Sequence, residues 1–341
     1  MAVSDRLLDG GQWFRVEESS AASAVRRAAE RLAAELGMPE RRVSDLAIVA
    51  AELASNLVKH AVDGSLLLRP VRTGAPGAIE AGVELIGFDS GPGMADLSRS
   101  LGDGHSTTGT LGIGLGAIAR QATWCDLHSV PGRGTVVAAQ VWPGAAPAPG
   151  WAAGLARPLT GEPVSGDGFA VRVRDGRHQV LVCDGLGHGR LAAAAAQSAV
   201  HAFQDAPPGG PAAIVETLHG ALAHTRGAAV AVAELDHREN TVRYAGLGNI
   251  AGAVFAAGVR RSMVSLPGIA GHQRRAIREY RYPLPPSAVV VLHSDGVVER
   301  WEAGDYPDLF DRSPQVIAAT ILRDAGVRRD DGCVVAARAW Q

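Results

Sequence analysis

The sequence predicts an α/β (α+β) protein of two domains. Its 341 residues suffice for about two domains of ordinary size. Residues 143–153 (PGAAPAPGWAA) contain only Pro, Gly, Ala and one Trp, a composition typical of a linker. Helices and strands are expected to alternate before this segment, whereas strands dominate after it. We therefore expect one domain at residues 1–142 and a second domain at residues 154–341.

The composition argues against several classes of protein. Hydrophobic residues make up 47% and charged residues 20%, as expected for a folded chain. The net charge of −2 lacks the basic balance of a nucleic-acid-binding domain. No segment approaches the ~18 apolar residues of a membrane span, and the first residues lack a secretion signal pattern. Three separated cysteines without a CxxC pair indicate free thiols, so we expect a cytoplasmic protein without membrane or nucleic-acid partners.

The position of the single lysine excludes two further classes of protein. Lys59 is the only lysine in the sequence. A Walker A P-loop needs a lysine in its GK[ST] motif, and the ordinary protein-kinase fold needs one on a strand. Lys59 lies in neither context, so both classes are excluded.

The first domain is expected to be an α/β sandwich, with helices on one face of a mixed sheet. Ser19–Leu36 has helical periodicity, with Ser20 as the expected N-cap and Gly37 as the expected stop. The other expected elements are a strand at residues 12–17, a helix at Val43–Val62, a strand at Gly82–Phe88, a helix at Leu115–Ala122, and strands at Thr123–Val130 and Gly134–Val141.

The second domain is expected to consist mainly of strands. Gly168–Val173 and Gln179–Cys183 are expected to form a hairpin about the turn sequence DGRH. Leu191–Phe203 is expected to be an alanine-rich helix. Further strands are expected at Val230–Leu235, Thr241–Gly246, Ala251–Phe255, Ala288–His293 and Gly332–Arg338.

A polar pattern marks the second helix of the first domain. Glu52, Asn56 and His60 follow one another at intervals of four residues, so they share one helix face, with Lys59 beside them. Taken alone, this pattern is also typical of a solvated helix face.

A strand that ends in an acid follows further along the chain. In GFDSGPGM, Asp89 ends the strand and is followed by Gly91 and Gly93. A carboxylate here can accept a hydrogen bond from a flat ligand, while the glycines let the ring lie close. A plain β-turn is the alternative, because Pro-Gly is strong turn chemistry.

The stretch GDGHSTTGTLGIGLG, residues 102–116, is rich in glycine, and GRGT, residues 132–135, precedes the last strand of the domain. Part of the stretch, GIGLGA, also fits a dinucleotide-binding pattern. That interpretation is disfavoured, because no apolar strand precedes the stretch and no acid ends a strand about 20 residues later.

Together these four motifs resemble the GHKL (Bergerat-fold) ATPase superfamily over about Gln12–Trp142, and within it the bacterial switch kinases of the RsbT and SpoIIAB type. A two-component histidine kinase is disfavoured, because the segment before Glu52 leaves no room for a phosphoacceptor helical hairpin. Relatives of gyrase or MutL would need a transducer domain, which the second half does not resemble.

The resemblance implies roles for individual residues. Asn56 would hold the Mg²⁺ that accompanies ATP, and Asp89 would accept a hydrogen bond from the adenine amino group. Glu52 would be the general base that takes the proton of an acceptor hydroxyl. Gly102–Thr110 would form a mobile lid over the phosphates. The other implied ATP-binding residues are Lys59, His60, Gly91, Gly93, Gly112, Gly114, Leu115, Gly116 and Thr135.

Aspartates recur at expected strand ends in the second domain. They lie in SGDGF (Asp167), VCDGLGHG (Asp184), HSDGVVE (Asp295) and the pair Asp330-Asp331. Each is also compatible with a common Asp-Gly turn. If the strand ends converge, the carboxylates repel one another and need a cation, for which oxygen ligands suit Mg²⁺ or Mn²⁺. Two such ions can activate water against a phosphate.

These motifs resemble metal-dependent protein phosphatases of the protein phosphatase 2C fold, in the SpoIIE and RsbX branch, over about Ala156–Trp340. The implied fold is a β-sandwich flanked by helices, with two Mn²⁺ or Mg²⁺ ions. Ser165 and Cys333 depart from the usual motifs without removing a carboxylate. His188 is a candidate acid for the leaving group or a structural loop histidine. The implied catalytic and metal-binding residues are Asp184 as the bridging ligand, the Gly185 carbonyl, Asp295 and Asp330, with Asp167 and Asp331 in or next to the site.

The two resemblances imply a bifunctional regulator. The first domain would phosphorylate a Ser or Thr of a STAS-domain partner, and the second would remove the phosphate. The partner would be an anti-sigma antagonist or a stressosome-type protein. In an alternative, the first domain is an ATP-dependent binding module for a sigma factor without kinase activity. In a third alternative, the chain is a phosphatase whose ATP site is vestigial.

Overall fold

The chain folds into stacked layers of helices and sheets. In the computed structural model, residues 11–73, 79–95, 114–148, 150–274, 276–299 and 301–338 are described. Within these ranges the layers follow the order helices, sheet, helix, sheet, sheet, helices. The glycine-rich stretch through residue 113, which includes Gly112 and the expected lid, lies outside the described residues.

The first sheet has five strands in the order β1-β2-β3-β5-β4, and every pairing is antiparallel. The expected mixed sheet is therefore wrong. Two consecutive helices between β1 and β2 give three chain reversals, instead of the two that a single crossover helix gives, so β2 returns antiparallel to β1. The β4–β5 hairpin then places β5 between β3 and β4. The strands are Gln12–Arg15 (β1), Ser65–Thr73 (β2), Glu80–Asp89 (β3), Trp124–Val130 (β4) and Gly134–Val141 (β5).

Three helices, Ser19–Glu35 (α1), Glu40–His60 (α2) and Gly114–Gln121 (α3), cover one face of this sheet. Gly37 adopts φ +67° and ends α1 as expected. The expected cap at Ser20 is wrong, because the N-cap is Glu18 and no side-chain cap bond forms. Ser20 lies in the first turn and donates to Glu18 Oε2 over 3.4 Å.

The second half is a sandwich of two packed sheets. One sheet has the order β12-β11-β15-β16-β6 and the other β13-β10-β9-β8-β7, with β14 paired to β10. The strands of the first are Ala152–Arg157 (β6), Ala251–Ala256 (β11), Val259–Met263 (β12), Val289–His293 (β15) and Gly332–Arg338 (β16). Those of the second are Asp167–Arg174 (β7), Arg177–Gly185 (β8), Ala228–Asp236 (β9), Thr241–Leu247 (β10), Ser265–Leu266 (β13) and Tyr280–Pro283 (β14).

The expected hairpin is confirmed as β7–β8, with Asp175 and Gly176 at φ 52° and 75° in its turn. The helices Arg190–Asp205 (α4) and Pro211–Ala221 (α5) pack on the outer face of this sheet. Strand β6 begins at Ala152, so the last two residues of the expected linker belong to a strand. No described helix is long and apolar enough to span a bilayer.

One helix of the second half, Pro314–Ala325 (α6), lies between the two halves. Ten of its residues are buried, and it packs in one hydrophobic cluster with both the first sheet and the β6-containing sheet. A helix that is apolar on all sides is typical of such a position. The face of the first sheet that α1–α3 leave uncovered is therefore covered by the second half of the chain.

Candidate functional site

The polar face of α2 meets the N-terminus of α3. A Cβ on Gly114 would lie 3.0 Å from Asn56 Oδ1 and 3.1 Å from Glu52 Oε2. Glycine at this position therefore leaves space directly in front of both side chains. Because free backbone N–H groups at a helix N-terminus favour anions, this arrangement suits a phosphate chain with a Mg²⁺ ion. The sequence-predicted pair of Glu52 and Asn56 is thus brought to one place.

The second part of the candidate nucleotide site is the end of β3. The Gly91 N–H donates to Asp89 Oδ1 over 2.7 Å, which fixes the carboxylate above the turn. A Cβ on Gly134 would lie 1.9 Å from the Asp89 carbonyl oxygen, so only glycine fits beside it. Gly93 has φ +66°, and a Cβ there would lie 2.2 Å from the Val130 carbonyl oxygen.

The Asp89 carboxylate is partly shielded from water. Burial raises its pKa, while the Gly91 and Thr135 backbone amides and the charges of Arg323 and His60 work in the opposite direction. The remaining acceptor capacity of this carboxylate suits a donor such as an exocyclic amino group.

A residue that sequence reasoning missed lies beside this turn. Ser129 Oγ is 2.9 Å from Thr135 Oγ1 and accepts a hydrogen bond from the Met94 N–H over 2.8 Å. Ser129 thereby connects the predicted Thr135 to the backbone just after Gly93. No motif marks it, because its partners are separated from it in the sequence.

The other predicted nucleotide-binding residues have mixed placements. Gly116 is buried in α3, and Leu115 packs against the hydrophobic core of the first half. Lys59 and His60 are exposed at the end of α2, and a Cβ on Gly91 would lie 2.6 Å from the His60 carbonyl oxygen. His60 is thus next to the Asp89 turn, whereas nothing in the described chain places the Lys59 side chain there.

The second candidate site gathers carboxylates at one edge of the sandwich. Asp167 and Asp184 are register partners on β7 and β8. Burial raises the pKa of Asp184 to about 7, and the charge of Asp295 adds to the effect. Burial also raises the pKa of Asp167 well above its ordinary value, with the charge of Asp184 contributing. Ser294 Oγ donates to Asp167 Oδ2 over 2.6 Å and holds this carboxylate in place.

The aspartate pair before β16 lies close to these residues. The Leu159 N–H donates to Asp331 Oδ1 over 2.8 Å, and the Asp331 N–H donates to Asp330 Oδ1 over 2.9 Å. A Cβ on Gly296 would lie 1.7 Å from the Asp331 carbonyl oxygen, so this loop packs against the glycine after Asp295. Burial raises the pKa of Asp330, and the Asp295 charge adds to the effect.

These carboxylates fit a divalent cation. Among the described residues, the buried Asp331 Oδ2 has no hydrogen-bond partner. Buried carboxylates that raise one another's pKa are stabilised by a cation, and an all-oxygen donor set suits Mg²⁺ or Mn²⁺. Within the described ranges, no group of three or more His, Cys, Asp or Glu side chains is placed so that it could hold a metal ion as it stands. The individual ligand roles, including that of the Gly185 carbonyl, therefore stay predictions.

Asn249 contacts this site directly, and Glu162 contacts the neighbouring His188. Asn249 Nδ2 donates to Asp295 Oδ2 over 2.6 Å. Glu162 Oε1 lies 2.9 Å from His188 Nδ1, and the His188 side chain is 62% exposed. His188 therefore lies on the solvent side of the carboxylates, with its ring oriented by Glu162. Asn249 lies in the AGLGNI motif, whereas nothing in the sequence marks Glu162.

Fold and sites together define the class of protein. The first half is an α/β sandwich in which a Glu/Asn helix face meets a helix N-terminus and an aspartate ends strand β3, as in GHKL-type ATPase domains. The second half is a sandwich of two sheets with aspartates at strand ends, as in phosphatase 2C-type domains. The fold class expected from the sequence is confirmed.

Comparisons with known proteins identify the families that the two halves match. The histidine kinase-like ATPase domain family matches residues 14–141, and the stage II sporulation protein E (SpoIIE) family matches residues 174–340. Serine/threonine-protein kinase RsbT of Bacillus subtilis (strain 168) is 32% identical over 119 residues, which cover 35% of this chain and 86% of RsbT. Through its first half, the chain belongs to the RsbT family.

Solved structures extend the comparison. A structure from work on the bacterial stressosome as a modular system for secondary messenger signalling matches with a TM-score of 0.51 and 27% identity, over 55% of this chain and 98% of that chain. RsbX in complex with magnesium matches with a TM-score of 0.47 and 18% identity, over 55% of this chain and 94% of RsbX. The ATPase class of the first half implies ATP as a cofactor, and the phosphatase class of the second half implies metal ions.

Proposed function

We propose that this chain is a bifunctional partner-switching regulator, which phosphorylates and dephosphorylates Ser or Thr residues of STAS-domain proteins. One observation carries the proposal. A single chain presents a carboxylate and an amide, Glu52 and Asn56, in front of Gly114, and a separate cluster of aspartates around Asp184. A module that only binds ATP does not need a base at the phosphate end, so the intact Glu52 favours kinase activity over pure binding.

In the kinase reaction, Glu52 would accept the proton of the partner's hydroxyl as that oxygen attacks the γ-phosphate of ATP. Asn56 Oδ1 would hold the Mg²⁺ that accompanies the nucleotide, since both side chains face the same space at Gly114. Asp89 would orient the adenine through its amino group, with Gly93 under the ring and Thr135 beside it.

In the phosphatase reaction, Asp184, Asp295 and Asp330 would hold two Mg²⁺ or Mn²⁺ ions. When bound, these ions supply an activated water for hydrolysis of the phosphate ester. Asp167 and Asp331 would complete the negative charge around the ions. His188, oriented by Glu162 over 2.9 Å, would protonate the departing Ser or Thr oxygen from the solvent side.

The proposed partners follow from the relatives. RsbT is a serine/threonine-protein kinase, and one similar structure comes from work on the bacterial stressosome. These similarities support a STAS-domain partner of the anti-sigma-antagonist or stressosome type. A sigma factor is the partner expected if the first half only binds. The cytoplasmic location expected from the composition also stays a prediction.

The test incubates the full chain with ATP, Mg²⁺, Mn²⁺ and a candidate STAS protein, and follows phosphorylation by intact-mass spectrometry. We expect Glu52→Gln to abolish phosphorylation while dephosphorylation of phospho-STAS continues. Asp184→Asn is expected to have the opposite effect. Glu35→Gln and Asp205→Asn, which change acids at the ends of α1 and α4, are the matched controls.

Normal phosphorylation by Glu52→Gln would show that the assignment of the base is wrong. ATP binding without phosphate transfer to any STAS protein, together with co-purification of a sigma factor, would favour the binding-module alternative. Failure of the wild-type chain to bind ATP in calorimetry would indicate a vestigial site.

A further inference from the structure

An arginine from the second half lies against the candidate adenine site of the first half. Arg323, in the last turn of α6, has a side chain that is only 2% exposed. Its Nη1 donates to the Asp89 carbonyl oxygen over 3.3 Å. Its Nε and Nη2 are held by the Asp324 carboxylate over 2.5 and 2.9 Å. The guanidinium is therefore fixed by one neighbour and directed at the residue expected to recognise adenine.

We propose that the second half completes the nucleotide site of the first, with Arg323 as a positioning residue for Asp89. The inference rests on the proposed function, since it requires ATP to bind at Asp89. Arg323 would not touch the nucleotide. It would fix the strand end from which the Asp89 carboxylate reaches the base.

The geometry around the Asp89 carbonyl explains why one donor can have this effect. Gly134 approaches this oxygen so closely that no side chain fits between them. Arg323 approaches the same oxygen from α6, so the peptide after Asp89 is held on both sides. The guanidinium charge also favours the ionised carboxylate against the effect of burial, as does His60. An ionised carboxylate accepts hydrogen bonds only, as adenine recognition requires.

A second arginine forms an exposed ion pair beside this contact. Arg328 Nη2 lies 3.3 Å from Asp63 Oδ1, in the segment that follows α2. One residue earlier, the Val62 carbonyl oxygen accepts the Ser90 N–H over 2.9 Å. The end of α6 therefore contacts Asp89, and the segment after α6 contacts Asp63, next to the Val62 carbonyl that binds the Ser90 N–H. A cleft of about 380 Å³ between the halves is lined by Ser90, Gly132, Arg133, Tyr306, Arg323 and Asp324.

The test compares two arginine variants of the full chain. Arg323→Gln removes the contact with Asp89. Arg312→Gln is the matched control, because Arg312 also crosses between the halves, 3.9 Å from Asp126, but precedes α6. ATP and GTP affinities are measured by calorimetry with Mg²⁺, and thermal melting shows that each variant is folded.

We expect Arg323→Gln to weaken ATP binding about tenfold, as the loss of one charge-assisted hydrogen bond can. Its preference for ATP over GTP is expected to fall as well, because a displaced Asp89 no longer selects an amino group over a carbonyl. Arg312→Gln is expected to keep wild-type affinity and selectivity. A general loss of stability would lower both affinities without changing their ratio.

The outcomes separate this inference from the proposed function. If the wild-type chain binds no ATP, the proposed function and the inference both fail. If the wild type binds ATP and Arg323→Gln keeps its affinity and its ATP preference, only the inference fails. Should Arg323→Gln not fold, Arg323→Lys replaces it, since a lysine cannot hold Asp324 and reach Asp89 together. Wild-type affinity and selectivity in Arg323→Lys would overturn the inference.

Discussion

At the scale of single residues, a hydrogen-bond network around one buried charge links the two halves. Glu84 on β3 is 1% exposed. Its carboxylate accepts hydrogen bonds from Arg69 Nε over 2.7 Å, Gln140 Nε2 over 2.6 Å and Gln315 Nε2 over 3.4 Å. Arg69 Nη1 in turn donates to the Gly154 carbonyl oxygen over 2.8 Å. The network therefore connects the first sheet to β6 and α6.

Glu84→Gln is expected to destabilise the protein strongly, because it leaves the buried Arg69 without its charge partner. Breaking such a pair from one side costs about 3–5 kcal/mol. Urea denaturation followed by circular dichroism measures the change. Glu80→Gln, at the exposed start of the same strand, is the control and should change the free energy of unfolding by less than about 0.5 kcal/mol. Equal stabilities of the two variants would contradict the role of the network.

His128 predicts a dependence of stability on pH. Its Nε2 lies 2.8 Å from the Pro307 carbonyl oxygen, and burial lowers its pKa, with the charges of Arg323 and Arg312 lowering it further. The unfolded chain therefore binds a proton more readily than the folded chain. The stabilisation by neutral His128 is present above the unfolded pKa of about 6.5 and is lost as the pH falls below it.

Replacing His128 with Gln keeps a donor for Pro307 and removes the titration. The urea midpoint of His128→Gln is expected to fall less than that of the wild type between pH 7.5 and 5.5. His201→Gln, at an exposed site on α4, should follow the wild type. Other buried histidines also make the urea midpoint depend on pH. The test is therefore the difference in this dependence between His128→Gln and the wild type. Identical slopes for all three proteins would exclude His128 as the source.

Residues whose placement depends on local sequence were predictable. The pairing of Glu52 with Asn56 follows from helical spacing, and Asp89, Asp184 and Asp295 follow from apolar strands that end in Asp. Residues whose roles depend on distant partners were not predictable. Ser129, Glu162 and Arg323 meet their partners only after the sheets have formed, and a single side chain without a motif gives no signal.

At the scale of elements, α6 connects the two halves into one core. Ile317 is fully buried in the cluster that contains Ile86 and Phe88 of the first sheet and Val291 and Val334 of the sandwich. Neither half can unfold without exposing the apolar surface of the other. We expect a single cooperative transition for both halves rather than two.

Calorimetry and a fluorescence melt test the shared core. The wild-type chain is expected to show coincident transitions. Ile317→Ala should lower the stability by about 2–5 kcal/mol through the cavity that it leaves. Ile48→Ala, at an exposed site on α2, is the control. Two separated transitions in the wild type would contradict the shared core.

Among the elements, strands and helices with strong local signals were predicted and others were missed. The β7–β8 hairpin follows from its Asp-Gly turn, and α1 ends at Gly37 as expected. Strand β2 was missed because Pro70 interrupts its pattern, although Leu66–Leu68 are buried. Helix α6 was missed because it is apolar on all sides, so it lacks the one-sided periodicity that identifies a surface helix.

At the scale of the whole molecule, the end of α6 and the segment after it connect the two candidate sites. Arg323 and Arg328 contact the Asp89 turn and Asp63, and Asp330 and Asp331 follow directly. Between them, the Val327 N–H donates to the Gly296 carbonyl oxygen over 2.8 Å, next to Asp295. A change in the position of this segment would therefore reach both sites. If ligands at two sites both shift the position of one segment, each ligand changes the binding affinity of the other by the same factor.

This linkage predicts that nucleotide changes the metal affinity of the second candidate site. The measurement is the Mn²⁺ concentration that gives half-maximal hydrolysis of a phospho-STAS substrate, with and without a non-hydrolysable ATP analogue saturated with Mg²⁺. We expect a shift of about fivefold in the wild type, at the lower end of typical coupling energies of about 1–3 kcal/mol. Arg323→Gln should reduce the shift even when the analogue is saturating, because its contact with the Asp89 turn is lost. Arg312→Gln, which keeps that contact, should show the wild-type shift. An equal shift in Arg323→Gln and the wild type would mean that the signal passes through another contact, and no shift in any of the three would mean that the two sites act independently.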